Sequence, residues 1–150
     1  MEIKNRKVHH NYFVEEEIEC GIVLKGNEVK SIRSGMATIG DAWAQIQNGE
    51  LMLRGMHITK WDTANEFDIN EDRERVLLVH KKEIRHLTDM LKKKGYTLIP
   101  LFVYFNQRGK CKVKLGVCLG KHLYDKREAI KERDIKRKME KEFKERNKEK

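Results

Sequence analysis

Residues 110–115 alternate strictly between lysine and apolar side chains, with Val117 continuing the apolar set, and this pattern constrains the fold more tightly than any other stretch. Successive side chains of a β-strand point to opposite faces, so the segment predicts a strand with one buried and one solvated face. The inward set is Cys111, Val113, Leu115 and Val117, and the outward set is Lys110, Lys112 and Lys114. Such a strand needs partners, so we expect the chain to build an antiparallel sheet over a core.

Three other segments are predicted to supply those partner strands. Residues 42–53 alternate around Asn48-Gly49, a dipeptide typical of the type I′ turn of a β-hairpin. Residues 12–24 and 97–105 are rich in β-branched, aromatic and other apolar side chains. Because Pro100 has no N–H to donate, it indicates an edge strand or the start of a strand.

Two short helices are predicted between these strands. Asn27 is positioned as the N-cap of a first helix, which Gly35 would end. A second helix is expected from Lys81 to Lys94, with Gly95 as its stop.

Strands at both ends of the chain with helices between them predict a mainly β (α+β) fold. We expect an OB-type antiparallel β-barrel with short flanking helices. Residues 1–10 are predicted to form a loosely ordered basic arm, and residues 62–75 an exposed loop. Residues 1–119 would form this barrel domain.

The composition changes at Gly120. Residues 120–150 carry 13 Lys/Arg and 8 Asp/Glu, which accounts for +5 of the net charge of +9 on the whole chain. Their few apolar residues form a stripe too narrow to anchor a helix on a core. We therefore predict that residues 120–150 are a basic tail, disordered in isolation and helical against a partner.

The net charge of +9 points to a polyanionic partner, and nucleic acid fits best because Lys and Arg release counterions from phosphates. No apolar run approaches about 18 residues, so a membrane partner is not expected. The N-terminus has no apolar segment typical of a signal peptide. Three cysteines without a CxxC pair fit buried thiols in a reducing cytoplasm.

The sequence contains no catalytic constellation and no metal-ligand spacing, so neither an enzyme nor a cofactor or metal site is expected. Tyr124 lies beside Lys121, Lys126 and Arg127. An aromatic ring among cations is typical of proteins that bind single-stranded or looped RNA, although the ring can equally pack at the edge of the domain.

Three long motifs resemble those of the SmpB family, the SsrA (tmRNA)-binding proteins of bacterial trans-translation. The first spans residues 15–33 and includes Cys20-Gly21-Ile22-Val23-Leu24-Lys25-Gly26-Asn27-Glu28-Val29-Lys30-Ser31-Ile32-Arg33. The second is Lys94-Gly95-Tyr96-Thr97-Leu98-Ile99-Pro100-Leu101 with Val103-Tyr104-Phe105, and the third is Gly120-Lys121-His122-Leu123-Tyr124-Asp125-Lys126-Arg127-Glu128. They occur in family order and cover nearly the whole chain. The sequence departs from the family at Arg73-Glu74-Arg75, which lacks the usual preceding Asp-Pro.

The resemblance implies an OB-fold protein that binds the tRNA-like domain of tmRNA. The complex would enter the A site of stalled ribosomes, where the tail would sense the empty mRNA channel beyond the small-subunit decoding centre. Elongation factor Tu and alanyl-tRNA synthetase would act through the tmRNA. The protein itself would catalyse nothing and would work in the cytoplasm.

The resemblance also implies two sets of binding residues. The positions that match the tmRNA-binding surface are Asn5, His10, Glu19, Arg33, Leu78, His80 and Lys112. The positions that match the ribosome-binding tail are Lys121, Tyr124, Asp125, Lys126, Arg127, Ile130 and Lys131.

Two other classes of protein fit the residues without the resemblance. Structural ribosomal proteins also join small β domains to basic extensions, and this is the main alternative. An OB-type ribonuclease is the third reading, and the absence of an acid/base pair disfavours it.

Overall fold

A computed structural model describes residues 2–60 and 70–121. The strands are β1 (Ile3–Lys4), β2 (Tyr12–Ile22), β3 (Ala37–Thr38), β4 (Trp43–Gln47), β5 (Glu50–Arg54), β6 (His57–Ile58), β7 (Arg75–Leu78), β8 (Tyr96–Phe105) and β9 (Cys111–Gly120). The helices are α1 (Val8–Asn11), α2 (Gly26–Arg33) and α3 (Lys81–Leu91). None of the helices in the described part of the chain is long and apolar enough to cross a membrane.

Six strands close into a barrel. Their order is β8-β4-β5-β7-β2-β9, and β9 pairs again with β8 to complete the ring. Every pairing is antiparallel, β1 adds to β8, and β3 and β6 form a separate two-stranded sheet. The predicted mainly β fold with an OB-type antiparallel barrel is therefore confirmed.

The alternation that predicted β9 reflects its place in the barrel wall. Val113 and Val117 are fully buried and Leu115 is 1% exposed, whereas Lys112 and Lys114 lie half-buried on the outer face. The hairpin between β4 and β5 turns at Asn48 (φ 52°) and Gly49 (φ 77°), the left-handed pair that a type I′ turn requires.

Helix α2 begins earlier than predicted, with Lys25 rather than Asn27 as its N-cap. The Glu28 carboxylate accepts a hydrogen bond from the Lys25 N–H at 2.8 Å, which satisfies the helix start without a polar side chain at the cap. Helix α3 ends at Leu91, three residues before the predicted Lys94.

The N-terminal arm and Pro100 also differ from prediction. Residues 3–11 contain β1 and α1 rather than loosely ordered chain. Pro100 lies in the middle of β8, where the register with β9 shifts between Pro100 and Phe102. Strand irregularities of this kind are among the few positions where a sheet tolerates a proline.

Candidate nucleic-acid interface

Four of the predicted tmRNA-binding residues line one surface depression of about 360 Å³, which we call the β2–β7 depression. They are Glu19, Leu78, His80 and Lys112, and the other lining residues are Gly21, Val79 and Glu83. Residues far apart in sequence are brought to one place because β2 pairs with β7 on one side and with β9 on the other.

The strand register arranges this surface as a row across four neighbouring strands. Tyr104 of β8 pairs with Lys112 of β9, Lys112 with Gly21 of β2, and Gly21 with Leu78 of β7. A Cβ on Gly21 would lie 3.3 Å from the Leu78 Cβ, so glycine permits the close approach of β7. Leu78 is 56% exposed, an unusual placement for a large apolar side chain.

The depression offers three kinds of contact. The Leu78 side chain can pack on a sugar or base, the Lys112 ammonium can bind a phosphate, and the Glu19 carboxylate can accept hydrogen bonds from a base amino group or a 2′-hydroxyl. Acceptor and cation lie close together because Glu19 pairs with Lys114 and Gly21 with Lys112. Such a mixture suits RNA better than a uniformly basic patch would.

Arg33 is held beside the turn of the β8–β9 hairpin, at the end of the hairpin that also carries Lys112. Its Nη2 donates to the Gly109 carbonyl at 3.1 Å, and its guanidinium carbon lies 4.3 Å from the Phe105 ring centroid. The cation–π contact leaves the exposed guanidinium pre-oriented, with further N–H groups available for a phosphate or base. Phe105 pairs with Cys111, the neighbour of Lys112.

Asn5, a further predicted tmRNA-binding position, lies away from the β2–β7 depression and is buried. It is 4% exposed, and its Nδ2 donates to the carbonyls of Pro100 at 3.0 Å and Ile39 at 3.3 Å. Its Oδ1 accepts from the Lys7 N–H at 3.2 Å. These three hydrogen bonds anchor the N-terminal arm to β8 and to the segment that contains Ile39.

His10 lies at the opposite end of the β2–β9 pair from Glu19. It lines a second depression, of about 450 Å³, with Asn11, Tyr12, Gly120 and Lys121. We call this the tail-exit depression. Tyr12 and Glu19 are seven positions apart along β2, a distance of about 23 Å at roughly 3.3 Å per residue. The structure thus groups His10 with Lys121, a residue predicted for the ribosomal side, and not with the other predicted tmRNA-binding positions.

The rest of the predicted tail site lies outside the described residues. These positions are Tyr124, Asp125, Lys126, Arg127, Ile130 and Lys131. Lys121, at the start of the tail, places its Nζ 5.2 Å from the Phe13 ring centroid.

A buried ion pair behind α2 was missing from the sequence predictions. Arg75 is fully buried and donates to Glu28 Oε2 from Nε at 3.0 Å and from Nη2 at 2.8 Å. Arg73 donates to the other carboxylate oxygen. Burial by itself would raise the pKa of Glu28, but the hydrogen bonds from Lys25, Arg73 and Arg75 outweigh it and hold the pKa below its ordinary value.

No local sequence signal links Glu28 to a residue 47 positions away, so the exposed loop predicted over residues 62–75 wrongly includes the buried Arg75, which begins β7. Potential metal ligands do not cluster in the described residues. Nowhere in residues 2–60 and 70–121 do three His, Cys, Asp or Glu side chains converge to hold an ion.

Comparison with known proteins places these features in a family. The family model described as SmpB protein matches residues 2–145. The chain is 51% identical over 141 residues to the SsrA-binding protein of Caldicellulosiruptor bescii, covering 94% of this chain and 89% of that one. It is 50% identical to the SsrA-binding protein of Clostridium beijerinckii, covering 97% and 92% of the two chains.

A solved structure gives the same result in three dimensions. The fold is similar to a chain in the structure described as "tmRNA-SmpB: a journey to the center of the bacterial ribosome", with a TM-score of 0.67 and 41% identity. The match covers 80% of this chain and 84% of that one. The chain belongs to the SmpB protein family.

Proposed function

We propose that this protein binds the tRNA-like domain of tmRNA and delivers it to the A site of stalled ribosomes for trans-translation. The observation that carries the proposal is the β2–β7 depression, where Glu19, Leu78, His80 and Lys112 meet on one face of the barrel. Relatives at about half identity are SsrA-binding proteins, and the similar solved structure is described as tmRNA–SmpB on the bacterial ribosome.

The two depressions contact different partners, the tRNA-like domain of tmRNA and the ribosome. The β2–β7 depression, with Arg33 beside the β8–β9 turn, holds the tRNA-like domain. The tail-exit depression contains Lys121, the first residue predicted for the ribosome-binding tail, and faces the ribosome, while His10, which also lines it, remains a predicted tmRNA-binding position. Tyr124 then stacks near the decoding centre, Asp125, Lys126 and Arg127 place the tail, and Ile130 and Lys131 continue it into the empty mRNA channel.

The protein's contribution is binding and placement. It brings the RNA and the ribosome together in the cytoplasm, and elongation factor Tu and alanyl-tRNA synthetase act on the tmRNA that it carries. No bond is made or broken by the protein itself.

Identification of the RNA that co-purifies with the full-length protein tests this function. We expect one dominant RNA with a tRNA-like end, and Arg33→Ala should weaken its binding about tenfold by removing a pre-oriented guanidinium. Recovery of stoichiometric ribosomal RNA would indicate a structural ribosomal protein instead, and recovery of cleaved fragments would indicate a ribonuclease.

Removal of residues 122–150 tests the division of labour. The truncated protein retains both depressions and should bind the tRNA-like RNA within about twofold of the parent, while tagging of stalled peptides is lost. A collapse of RNA affinity on truncation would contradict the assignment of the tail to the ribosome.

A further inference from the structure

The barrel carries two hydrogen-bonded pairs of a tyrosine and a glutamate. The Tyr104 hydroxyl donates to Glu19 Oε2, and the Tyr96 hydroxyl donates to Glu15 Oε2 at 2.7 Å. Each pair joins β8 to β2 across β9. The pairs differ in location, because Glu19 lines the β2–β7 depression and Glu15 does not.

Tyr104 is fixed in a way that suits a supporting residue. It pairs with Lys112 in the strand register, and its ring lies 5.4 Å from that of Phe102 with the planes tilted by 47°. Burial, together with the hydrogen bond to Glu19, raises the pKa of the Tyr104 phenol. The hydroxyl therefore stays protonated at neutral pH and acts as a donor to the carboxylate.

The hydrogen bond from Tyr104 restricts the orientation of the Glu19 carboxylate. Glu19 is an exposed side chain, and an exposed glutamate loses rotamer entropy when it is immobilised. A donor that is already in place restricts this freedom before any ligand arrives. It also engages Oε2 and leaves Oε1 to accept from the ligand, so the acceptor has one defined direction.

We propose that Tyr104 is a positioning residue of the RNA site, holding the Glu19 carboxylate so that its free oxygen accepts a hydrogen bond from a donor group of the RNA, a base amino group or a 2′-hydroxyl. The inference rests on the proposed function, since it concerns the same depression. It adds a residue that lies outside the lining of the depression, and it names the chemistry of the ligand group that Glu19 meets.

Tyr104→Phe tests the proposal, because it removes the hydroxyl and keeps the ring. In full-length protein, we expect the affinity for a transcript of the tRNA-like domain to fall about five- to tenfold, the net effect of one typical hydrogen bond. Tyr96→Phe is the matched control: it removes the equivalent bond to Glu15 and should leave affinity within about twofold.

Two readouts separate positioning from a general structural effect. In a Glu19→Ala background, Tyr104→Phe should cause no further loss, and this cycle cancels any stability change that the substitution brings to both backgrounds. The slope of log affinity against log salt should be unchanged by Tyr104→Phe, because no phosphate contact is lost. Lys112→Gln should reduce that slope by about 0.7–0.9.

The outcomes distinguish the inference from the proposed function. If the parent binds the transcript and Tyr104→Phe binds equally well, or loses as much in the Glu19→Ala background as in the parent, the positioning role is refuted and the function stands. If the parent itself does not bind the transcript, the proposed function fails and the inference fails with it.

Discussion

The buried pair of Glu28 and Arg75 provides a direct test of what holds the barrel to α2. Glu28→Gln keeps the side-chain volume and removes the negative charge, so no cavity contributes to the result. The carboxylate accepts hydrogen bonds from Lys25, Arg73 and Arg75. The amide offers a single acceptor oxygen and turns its NH₂ group toward a guanidinium.

The expected cost follows from the burial of Arg75. That side chain is 0% exposed, and the substitution removes its only carboxylate partner among the described residues, while the carbonyls of Met56 at 2.6 Å and Glu71 at 3.0 Å still accept from it. Removing one partner of a buried ion pair typically costs about 3–5 kcal/mol. We expect about 3 kcal/mol here, at the lower end, because the two carbonyls remain. This corresponds to a loss of roughly 10 °C in Tm.

The assay is urea unfolding followed by fluorescence and circular dichroism, repeated at several pH values. The pKa of Glu28 is lowered in the folded state, so its contribution is fully present above the ordinary glutamate pKa of about 4.3. It is lost as pH falls through that value toward the lowered folded pKa. The stability gap between the parent and Glu28→Gln should therefore be widest near neutral pH and should close in acid.

Asp41→Asn is the control for this experiment. Lys7 Nζ lies 3.5 Å from Asp41 Oδ1, but the two side chains are 68% and 87% exposed, so we expect a change below about 0.5 kcal/mol. A Glu28→Gln protein within about 1 kcal/mol of the parent, with the same gap at every pH, would refute the reasoning. It would mean that Arg75 is stabilised by the carbonyls alone.

Gly49→Ala should destabilise the protein by about 1–2 kcal/mol because φ at this position is +77°. Gly26 is equally free of neighbours within 4 Å but has no positive φ, so Gly26→Ala should be neutral or slightly stabilising. Equal urea midpoints for the two variants would contradict this. The thiols of Cys20 and Cys118 are fully buried, which raises the pKa of each to about 12. These two thiols should resist a thiol reagent at pH 8 until the protein is unfolded, whereas the half-buried Cys111 should react first. Rapid labelling of Cys118 in the native state would contradict its burial.

The parts of the fold that were predictable depend on neighbours in sequence. The lysine–apolar alternation of β9 and the Asn48-Gly49 turn are local, because pleating and left-handed φ angles act on consecutive residues. The start of α2 was misplaced because the carboxylate of Glu28 performs the capping that the pattern assigned to Asn27. Pro100 was misplaced because a register shift between distant strands accommodates it.

In the candidate site, too, the arrangement that depends on distant residues could not be predicted from the sequence. Resemblance identified Glu19, Leu78 and Lys112, but only the strand register shows that they share one depression. The same register separates His10 from them and buries Asn5. The contact of Tyr104 with Glu19 was not predicted because it joins residues 85 positions apart in the sequence.

The length of β2 has a consequence for how such a protein can vary. This strand, Tyr12–Ile22, runs from the tail-exit depression to the β2–β7 depression, so the distance between the two depressions is set by a hydrogen-bonded strand and not by a linker. That distance can change only in whole residues. One inserted residue would add about 3.3 Å and turn every later side chain to the other face. Two would restore the faces but move the depressions apart by about 7 Å. The register of β2 therefore determines how far apart the two depressions lie.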